Sequence, residues 1–248
     1  MTPERRMERL QPSQLRNLRD SVPLAYLPLG ILEWHGPQNP LGLDGVKAHA
    51  LSVRAAHESG GVVFPTLYYG TPPAANYLDV DGYHPDIPAT YGVPQEHYTT
   101  DAFRFGSRVD QWHLFDRILD QSLRQVARFG FKAILVISGH YPLRNQQLIT
   151  TSFQREFKIP VWFGHEGEVC NPPEGDHAAQ WETSLTMALE PGTVATDAFP
   201  ERDAPNPPGV HGKPVADITP QLAADNLRRC LDGIVHKATE LVGQAAER

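Results

Sequence analysis

The sequence predicts one α/β domain with a mostly parallel central sheet, and two observations carry that prediction. Short, continuous apolar runs, which are typical of parallel strands buried on both faces, alternate with longer segments of helical periodicity. The first three core elements follow the order strand, helix, strand, which begins a βαβ arrangement. A chain of 248 residues can bury the core of one large domain, and neither an internal repeat nor a low-complexity linker divides it. We therefore predict a single domain over residues 1–248.

The first half of the chain is predicted to contain a polar arm with a short helix, then a strand, a helix and a second strand. The short helix would use Leu10, Leu15 and Leu18 for its apolar contacts. The longer helix follows Asp44 and meets no helix breaker before the glycine pair at 60–61. The arm covers residues 1–22, and the two strands cover residues 25–32 and 61–65.

Residues 70–100 interrupt this alternation with scattered prolines and aromatic side chains. A long irregular segment inside a compact domain is usually functional or disordered. The tyrosines in this insert favour a packed loop. We expect it to form a wall of the substrate site or a contact between subunits.

The second half returns to alternating strands and helices. The segment 107–128 has the clearest amphipathic pattern, with Trp112 and Phe115 on its core face, and Gly130 ends it. Residues 198–220 are rich in proline and are predicted to be irregular. The remaining predicted strands are 133–137 and 159–163, and the remaining predicted helices are 144–157, 178–189 and 221–246.

Composition excludes several classes of function. The net charge of −7 argues against nucleic acid or an anionic membrane as a partner. Two cysteines, Cys170 and Cys230, provide neither a disulfide framework nor a thiolate metal cluster. The polar N-terminus lacks the apolar core of a signal peptide, and no apolar run approaches the roughly 20 residues that cross a bilayer. We therefore expect a cytoplasmic protein.

The first candidate site follows the apolar run at residues 27–32. Glu33 and His35 lie two positions apart, so they would leave one face together if the strand continued. The Gly/Pro turn after them can return Asp44 to that face. Two carboxylates and an imidazole indicate a divalent-metal site. The alternative, which is more common for Glu-x-His alone, is a polar strand end with a hydrogen-bonded histidine.

His140 follows the strand predicted at residues 133–137. Ligands of open parallel sheets bind at the carboxyl ends of the strands, and His35 and His140 both lie at such ends. Gly139 permits a sharp turn that leaves the imidazole of His140 over the sheet. The alternative is a packing or helix-capping histidine.

A third cluster, Asp176-His177 with Glu182, lies where a helix is predicted to begin. Taken alone, this cluster is better explained by ordinary acidic residues at a helix N-terminus. The first candidate site, in contrast, gains weight because these later stretches supply its missing partners.

Together the three stretches resemble the signatures of the creatininase (creatinine amidohydrolase) family. The matching runs are residues 28–44, Gly139-His140-Tyr141, and His177-Ala178 with Glu182-Thr183-Ser184, in the family's order and spacing. The resemblance covers about residues 25–190. It implies a three-layer α/β/α sandwich, a binuclear metal-dependent amidohydrolase, and assembly as a homo-oligomer, often a hexamer.

Position by position, the resemblance implies the metal ligands. Glu33 and His140 would bind one ion, His35 would bind the other, and Asp44 would bridge both. The ions would be Zn²⁺, Mn²⁺ or Fe²⁺.

The same resemblance implies the groups that act on the substrate. His177 would transfer a proton or orient the substrate, with Asp176 beside it as a second catalytic candidate. Tyr141 would contact the substrate.

One departure from the family pattern concerns the last ligand. Members that hydrolyse creatinine carry Gly-His-Tyr-Glu-Asn, whose glutamate serves the metal centre, whereas this chain has Pro142 at that position. Creatinine is therefore not the expected substrate. Glu182, five residues after His177, is the best replacement, because that spacing is under one and a half turns of helix. Asp176 and Glu174 are weaker candidates.

The expected reaction is hydrolysis of a small cyclic amide, a formamide or another C–N amide bond by metal-activated water. The alternative is a non-catalytic ligand-binding protein that keeps the scaffold. That alternative predicts a damaged metal site, whereas the four candidate ligands Glu33, His35, Asp44 and His140 are all present. A serine hydrolase is disfavoured, because Ser138 lacks the Gly-x-Ser-x-Gly elbow.

Overall fold

The computed structural model describes residues 3–69, 92 and 108–247 of the chain. Within them, a parallel sheet has the strand order β2-β1-β3-β4. Its strands are β1 (Leu24–Leu29), β2 (Val62–Val63), β3 (Ala133–Ser138) and β4 (Val161–His165). The α-helices are α1 (Pro12–Ser21), α2 (Leu43–Ser59), α3 (Arg108–Arg128), α4 (Gln147–Phe157), α5 (Gln180–Leu189) and α6 (Pro220–Ala246).

The sheet is covered by helices on both faces, because each strand buries its side chains on alternate sides. One face carries Tyr26 and Leu135 and packs against α2, α5 and α6 through residues such as Leu185. The other carries Leu27 and Val136 and packs against α3 and α4, which contribute apolar side chains including Phe115 and Phe153. This is the three-layer α/β/α sandwich that the sequence predicts.

Most predicted elements are present, with four differences at their ends. The first strand ends at Leu29 instead of residue 32, and the second is reduced to two residues. The helix predicted from 144 begins with a 3-10 segment, Tyr141–Gln146. The helix predicted from 178 begins at Gln180, because Ala178 has a left-handed backbone with φ of 57° that cannot continue a helix. The predicted insert at 70–100 lies outside the described residues, apart from Gly92.

Two glycines bring the N-terminus of α2 against the strand ends. A Cβ at Gly30, just after β1, would lie 2.2 Å from the nitrogen of Gly45. A Cβ at Gly139, just after β3, would lie 2.0 Å from the carbonyl oxygen of Asp44. Only glycine permits these approaches, and they place the first turn of α2 at the carboxyl edge of the sheet.

None of the helices that the structure describes is both long enough and apolar enough to span a membrane.

Candidate metal centre

A cluster of buried ionisable side chains lies beyond the carboxyl ends of β1, β3 and β4. Its members come from the loop after β1, the start of α2, the ends of β3 and β4, and the first turn of α5. They are Glu33, His35, Asp44, Lys47, His140, His165, Glu166 and Glu182, and each is less than a tenth exposed. Charged groups are rarely buried so completely unless they are paired or bind a metal.

Glu33 and His35 reach the cluster from a loop and not from a strand. The expectation that they share a strand face was wrong, because β1 ends at Leu29 and the backbone N–H of Glu33 instead bonds the carbonyl of Leu41 across the loop. The two side chains nevertheless converge, with His35 Nε2 3.4 Å from Glu33 Oε1. The loop therefore brings the two side chains together, although they do not lie on a strand.

Asp44 lies between two histidines, in the first turn of α2. Its Oδ1 is 3.1 Å from Nε2 of His35, and its Oδ2 is 3.2 Å from Nδ1 of His140. Nδ1 of His140 is also 3.0 Å from Oε1 of Glu33. One carboxylate thus presents a separate oxygen to each imidazole.

The ligand atoms form two overlapping groups that share Asp44. One group is Glu33, Asp44 and His140; the other is His35, Asp44 and Glu182; and within each group the ligand atoms lie within 4.8 Å of one another. The predicted ligands are therefore brought together. A further group, Glu33, His35 and His177, meets the same limit.

The buried carboxylates of the cluster favour positive charge close to them. Burial alone would lower the pKa values of the two histidines, but Asp44 and Glu33 outweigh burial and raise them to about 9 for His35 and about 10 for His140. Nδ1 of His35 donates to the carbonyl of Glu33 at 3.2 Å. In a neutral His35 the lone pair of Nε2 would therefore face another acceptor, Oδ1 of Asp44. A proton or a cation must lie between them.

The donor set fits divalent ions. Both side-chain oxygens of Glu33 and Oδ2 of Asp44 are buried, and none has a well-aligned hydrogen-bond donor among the residues that the structure describes. Buried oxygens without donors are costly unless an ion binds them. Carboxylates with imidazoles suit Zn²⁺, Mn²⁺ or Fe²⁺ better than soft metals.

The predicted catalytic residues lie at the edge of this cluster. Nε2 of His177 lies 3.1 Å from the carbonyl oxygen of Trp34, to which it can donate, and Nδ1 is 3.9 Å from Oε1 of Glu33. Burial lowers the pKa of His177, so its imidazole is neutral near pH 7. Its ring centroid is 5.0 Å from that of His35.

Asp176 and Tyr141 have different surroundings. Asp176 accepts the backbone N–H groups of Trp181 and Glu182 at 2.6 and 3.1 Å, so it caps α5. Burial and the nearby charge of Glu182 raise the pKa of Asp176 to about 7. Tyr141 is half exposed, and its ring lies edge-on to His165 at 5.6 Å. The catalytic role of Asp176 and the substrate contact of Tyr141 stay predictions.

Three members of the cluster were missed from the sequence: Lys47, His165 and Glu166. Lys47 lies within an ordinary helical pattern, where a lysine usually faces solvent. His165 and Glu166 follow β4, and their position at the carboxyl end of a parallel strand was the available signal.

Comparison with known proteins bears on the family and the fold of the chain. The sequence profile of the creatininase family, described as creatinine amidohydrolase, matches residues 8–82 and 85–241. The chain belongs to the creatininase family. The resemblance noted from the three signatures is thereby confirmed, and family and fold together indicate a metal-dependent amidohydrolase.

Solved creatininase-family structures share the fold. A creatinine amidohydrolase (creatininase) superposes with a TM-score of 0.69 at 18% identity, covering 94% of this chain and 96% of that one. A structure named creatininase Mn superposes with a TM-score of 0.69 at 21% identity, covering 96% of this chain and 98% of that one. A putative creatinine amidohydrolase from Bacteroides fragilis gives 0.70 at 17% identity, covering 98% of each chain.

A curated relative carries a different activity in its name. The mycofactocin precursor peptide peptidase of Mycolicibacterium smegmatis is 24% identical over 196 residues, which cover 76% of this chain. The match spans 66% of that relative, just under two thirds of its length.

Proposed function

We propose that this creatininase-family hydrolase binds two divalent ions and hydrolyses a small amide: a cyclic amide, a formamide or another C–N amide. The observation that carries the proposal is the position of Asp44, whose two oxygens face histidines of two different ligand groups. A carboxylate so placed can neutralise two cations at once. The Zn-Zn and Mn forms named among the related solved structures support divalent ions as the cofactor.

In this proposal the cluster divides into two ion sites. Glu33 and His140 would hold one ion, His35 and Glu182 would hold the other, and Asp44 would contribute to both sites. Such a pair of ions would supply a nucleophilic water near neutral pH and polarise a substrate carbonyl. The ring of His35 is oriented by the protein, since its Nδ1 donates to the carbonyl of Glu33 at 3.2 Å. Asn39 Nδ2 donates to the backbone carbonyl of His35 at 3.0 Å and holds the loop that carries it.

The proton transfer is assigned to His177. With Nε2–H donating to Trp34, Nδ1 carries the lone pair and faces the cluster. A neutral imidazole can accept a proton released during attack and return it to the departing nitrogen. Tyr141, half exposed near His165, would contact the substrate, and Asp176 would hold α5 and its Glu182 in place.

A short peptide is the second candidate substrate. The specific observation that favours it is the peptidase named among the relatives of this chain. Family and fold do not fix the substrate, because related sites on one scaffold accept different amides.

The test is a hydrolysis assay with matched substrates. The protein is stripped with chelator, reloaded with Mn²⁺ or Zn²⁺, and incubated with cyclic amides, formamides, linear amides and short peptides, with product amines detected by mass spectrometry. We expect turnover of one class by the reloaded protein and none by Asp44→Asn. If two ions bind and no class is cleaved, the non-catalytic alternative is correct; cleavage of peptides alone would replace the small-amide assignment.

A further inference from the structure

Lys47 is a fully buried cation inside the candidate metal centre. It lies three residues after Asp44 in α2 and has no exposed surface. Its Nζ is 2.7 Å from Oε1 of Glu166 and 2.5 Å from Oε1 of Glu182. Burying an ammonium group away from water costs free energy, and these two carboxylates offset that cost.

Glu182 is therefore shared between Lys47 and the proposed metal centre. Its Oε1 accepts from Nζ of Lys47, and its Oε2 accepts the backbone N–H of Ala178 at 2.7 Å. Both oxygens already have donors, in contrast to those of Glu33. An ion bound by His35, Asp44 and Glu182 must share this carboxylate with an ammonium group.

Glu166 holds Lys47 from the other side. Although His165, Glu166 and Glu182 have ligand atoms within 4.8 Å of one another, His165 is poorly disposed to bind an ion. Its Nδ1 accepts the N–H of Gly167 at 3.2 Å, so Nε2 carries the proton and faces Oε2 of Glu166 at 3.1 Å. Glu166 therefore lies within ion-pair distance of Lys47 and faces His165, and in this account it anchors the lysine.

We propose that Lys47 is a positioning residue that competes with one divalent ion for Glu182, fixing this carboxylate while weakening the hold on the ion bound by His35 and Asp44. The inference rests on the two-ion function proposed above. A carboxylate that also accepts from an ammonium group would be a weaker ligand for an ion, because part of its charge is already neutralised. Family membership does not assign this role to Lys47.

The test is stepwise Mn²⁺ titration of chelator-stripped protein by calorimetry. Lys47→Met keeps most of the side-chain volume and removes the charge, and its thioether is a poor ligand for Mn²⁺. We expect one of the two ions to bind at least about tenfold tighter than in the unchanged protein, because a buried like charge is removed from beside Glu182. The other ion should change little. The gain should disappear when His35→Ala is added.

Glu166→Gln tests the same competition in the opposite direction and covers the case in which Lys47→Met does not fold. Without Glu166 the ammonium is drawn to Glu182 alone, so the same ion should bind at least about tenfold weaker. Glu156→Gln is the control, because Glu156 is an exposed carboxylate that pairs with Arg124 outside the cluster, and it should leave both ions unchanged.

The outcomes separate the two proposals. If the unchanged protein binds fewer than two ions, the proposed function fails. If it binds two ions and Glu166→Gln leaves both affinities unchanged, Lys47 does not compete for Glu182 and the inference is wrong. The inference is also wrong if both affinities fall together in Lys47→Met.

Discussion

At the scale of single residues, charge and geometry decide how the centre can work. Glu33, Asp44, Glu166 and Glu182 are buried together, and Lys47 is the lysine that opposes them within the cluster. Fully ionised, these four carboxylates and one ammonium carry a net charge of −3, so one divalent ion leaves −1 and two leave +1. The case for two ions therefore rests on the geometry of Asp44, whose two oxygens face different histidines.

Glu182→Gln should remove one ion. Glutamine keeps the size of the side chain and can still accept from Lys47, but it lacks the charge that attracts a cation beside His35. We expect the Mn²⁺ content to fall by about one ion per chain, with loss of most activity. Glu58→Gln, which alters an exposed carboxylate paired with Arg228, is the control. Two tightly bound ions in Glu182→Gln would move the ligand assignment to Asp176.

His177→Ala should keep both ions and lose turnover. Its assigned role is protonic, and general acid–base groups contribute about 10²- to 10⁴-fold to rate. Elemental analysis together with turnover of the identified substrate separates the roles, and His236→Ala, on an exposed side chain, should be unaffected in both. A fall in metal content would make His177 a ligand, as its grouping with Glu33 and His35 also allows.

The sequence predicts residues whose roles follow from residue type and spacing. It predicts less well which buried side chains pair with each other. Glu33, His35 and His140 were proposed as ligands because each follows an apolar run. Asp44 was proposed because a Gly/Pro turn can return it to the same site, and Glu182 because of its spacing from His177 in the family signature. Lys47 was not, because its burial depends on Glu166, which is 119 positions away in the chain. Pairing over such a distance leaves no local pattern.

At the scale of elements, the position of α2 against the sheet sets the centre. The first turn of α2 carries Asp44, and Lys47 follows three residues later. The start of α2 approaches Gly30 and Gly139, which directly follow β1 and β3. The sequence predicted both strands and this helix. It did not predict that β1 would stop at Leu29, because the contact that turns the chain away from the sheet joins residues 30 and 45.

Gly139→Ala should displace Asp44. The added methyl group would lie 2.0 Å from the carbonyl oxygen of Asp44, so the start of α2 must move. Overpacking of this kind costs about 1–3 kcal/mol, and we expect weaker binding of both ions in calorimetry beside a lower Tm. Gly243→Ala, in α6 with no atom within 4 Å of the added Cβ, is the matched control and should be neutral or stabilising. Unchanged metal affinity in Gly139→Ala would contradict this account.

At the scale of the whole molecule, metal-free stability should depend on pH. The pKa values of His35 and His140 are raised to about 9 and about 10 in the folded chain, where Asp44 and Glu33 outweigh burial. Their protonated forms stabilise the fold fully below about pH 6.5, and this stability is lost as the pH rises through 9 to 10.

The Tm of chelator-treated protein should therefore fall between pH 7 and pH 10. Each histidine contributes about 1.4 kcal/mol per pH unit, or about 3 °C for a domain of this size. Added Mn²⁺ should flatten the dependence, because bound ions replace the protons. A Tm that rises with pH in the stripped protein, measured by differential scanning fluorimetry, would show that these histidines are neutral. Assembly as a homo-oligomer, which the family resemblance implies, stays a prediction.

The most direct test of the central claim is the metal content of the purified protein and of Asp44→Asn, measured by elemental analysis without chelator. We predict about two divalent transition-metal ions per chain in the unchanged protein. Asp44→Asn should lose both, because the asparagine can no longer neutralise two cations with one side chain. Absence of transition metal from the unchanged protein, even after reconstitution with Zn²⁺ or Mn²⁺, would contradict the account, as would two ions retained by Asp44→Asn.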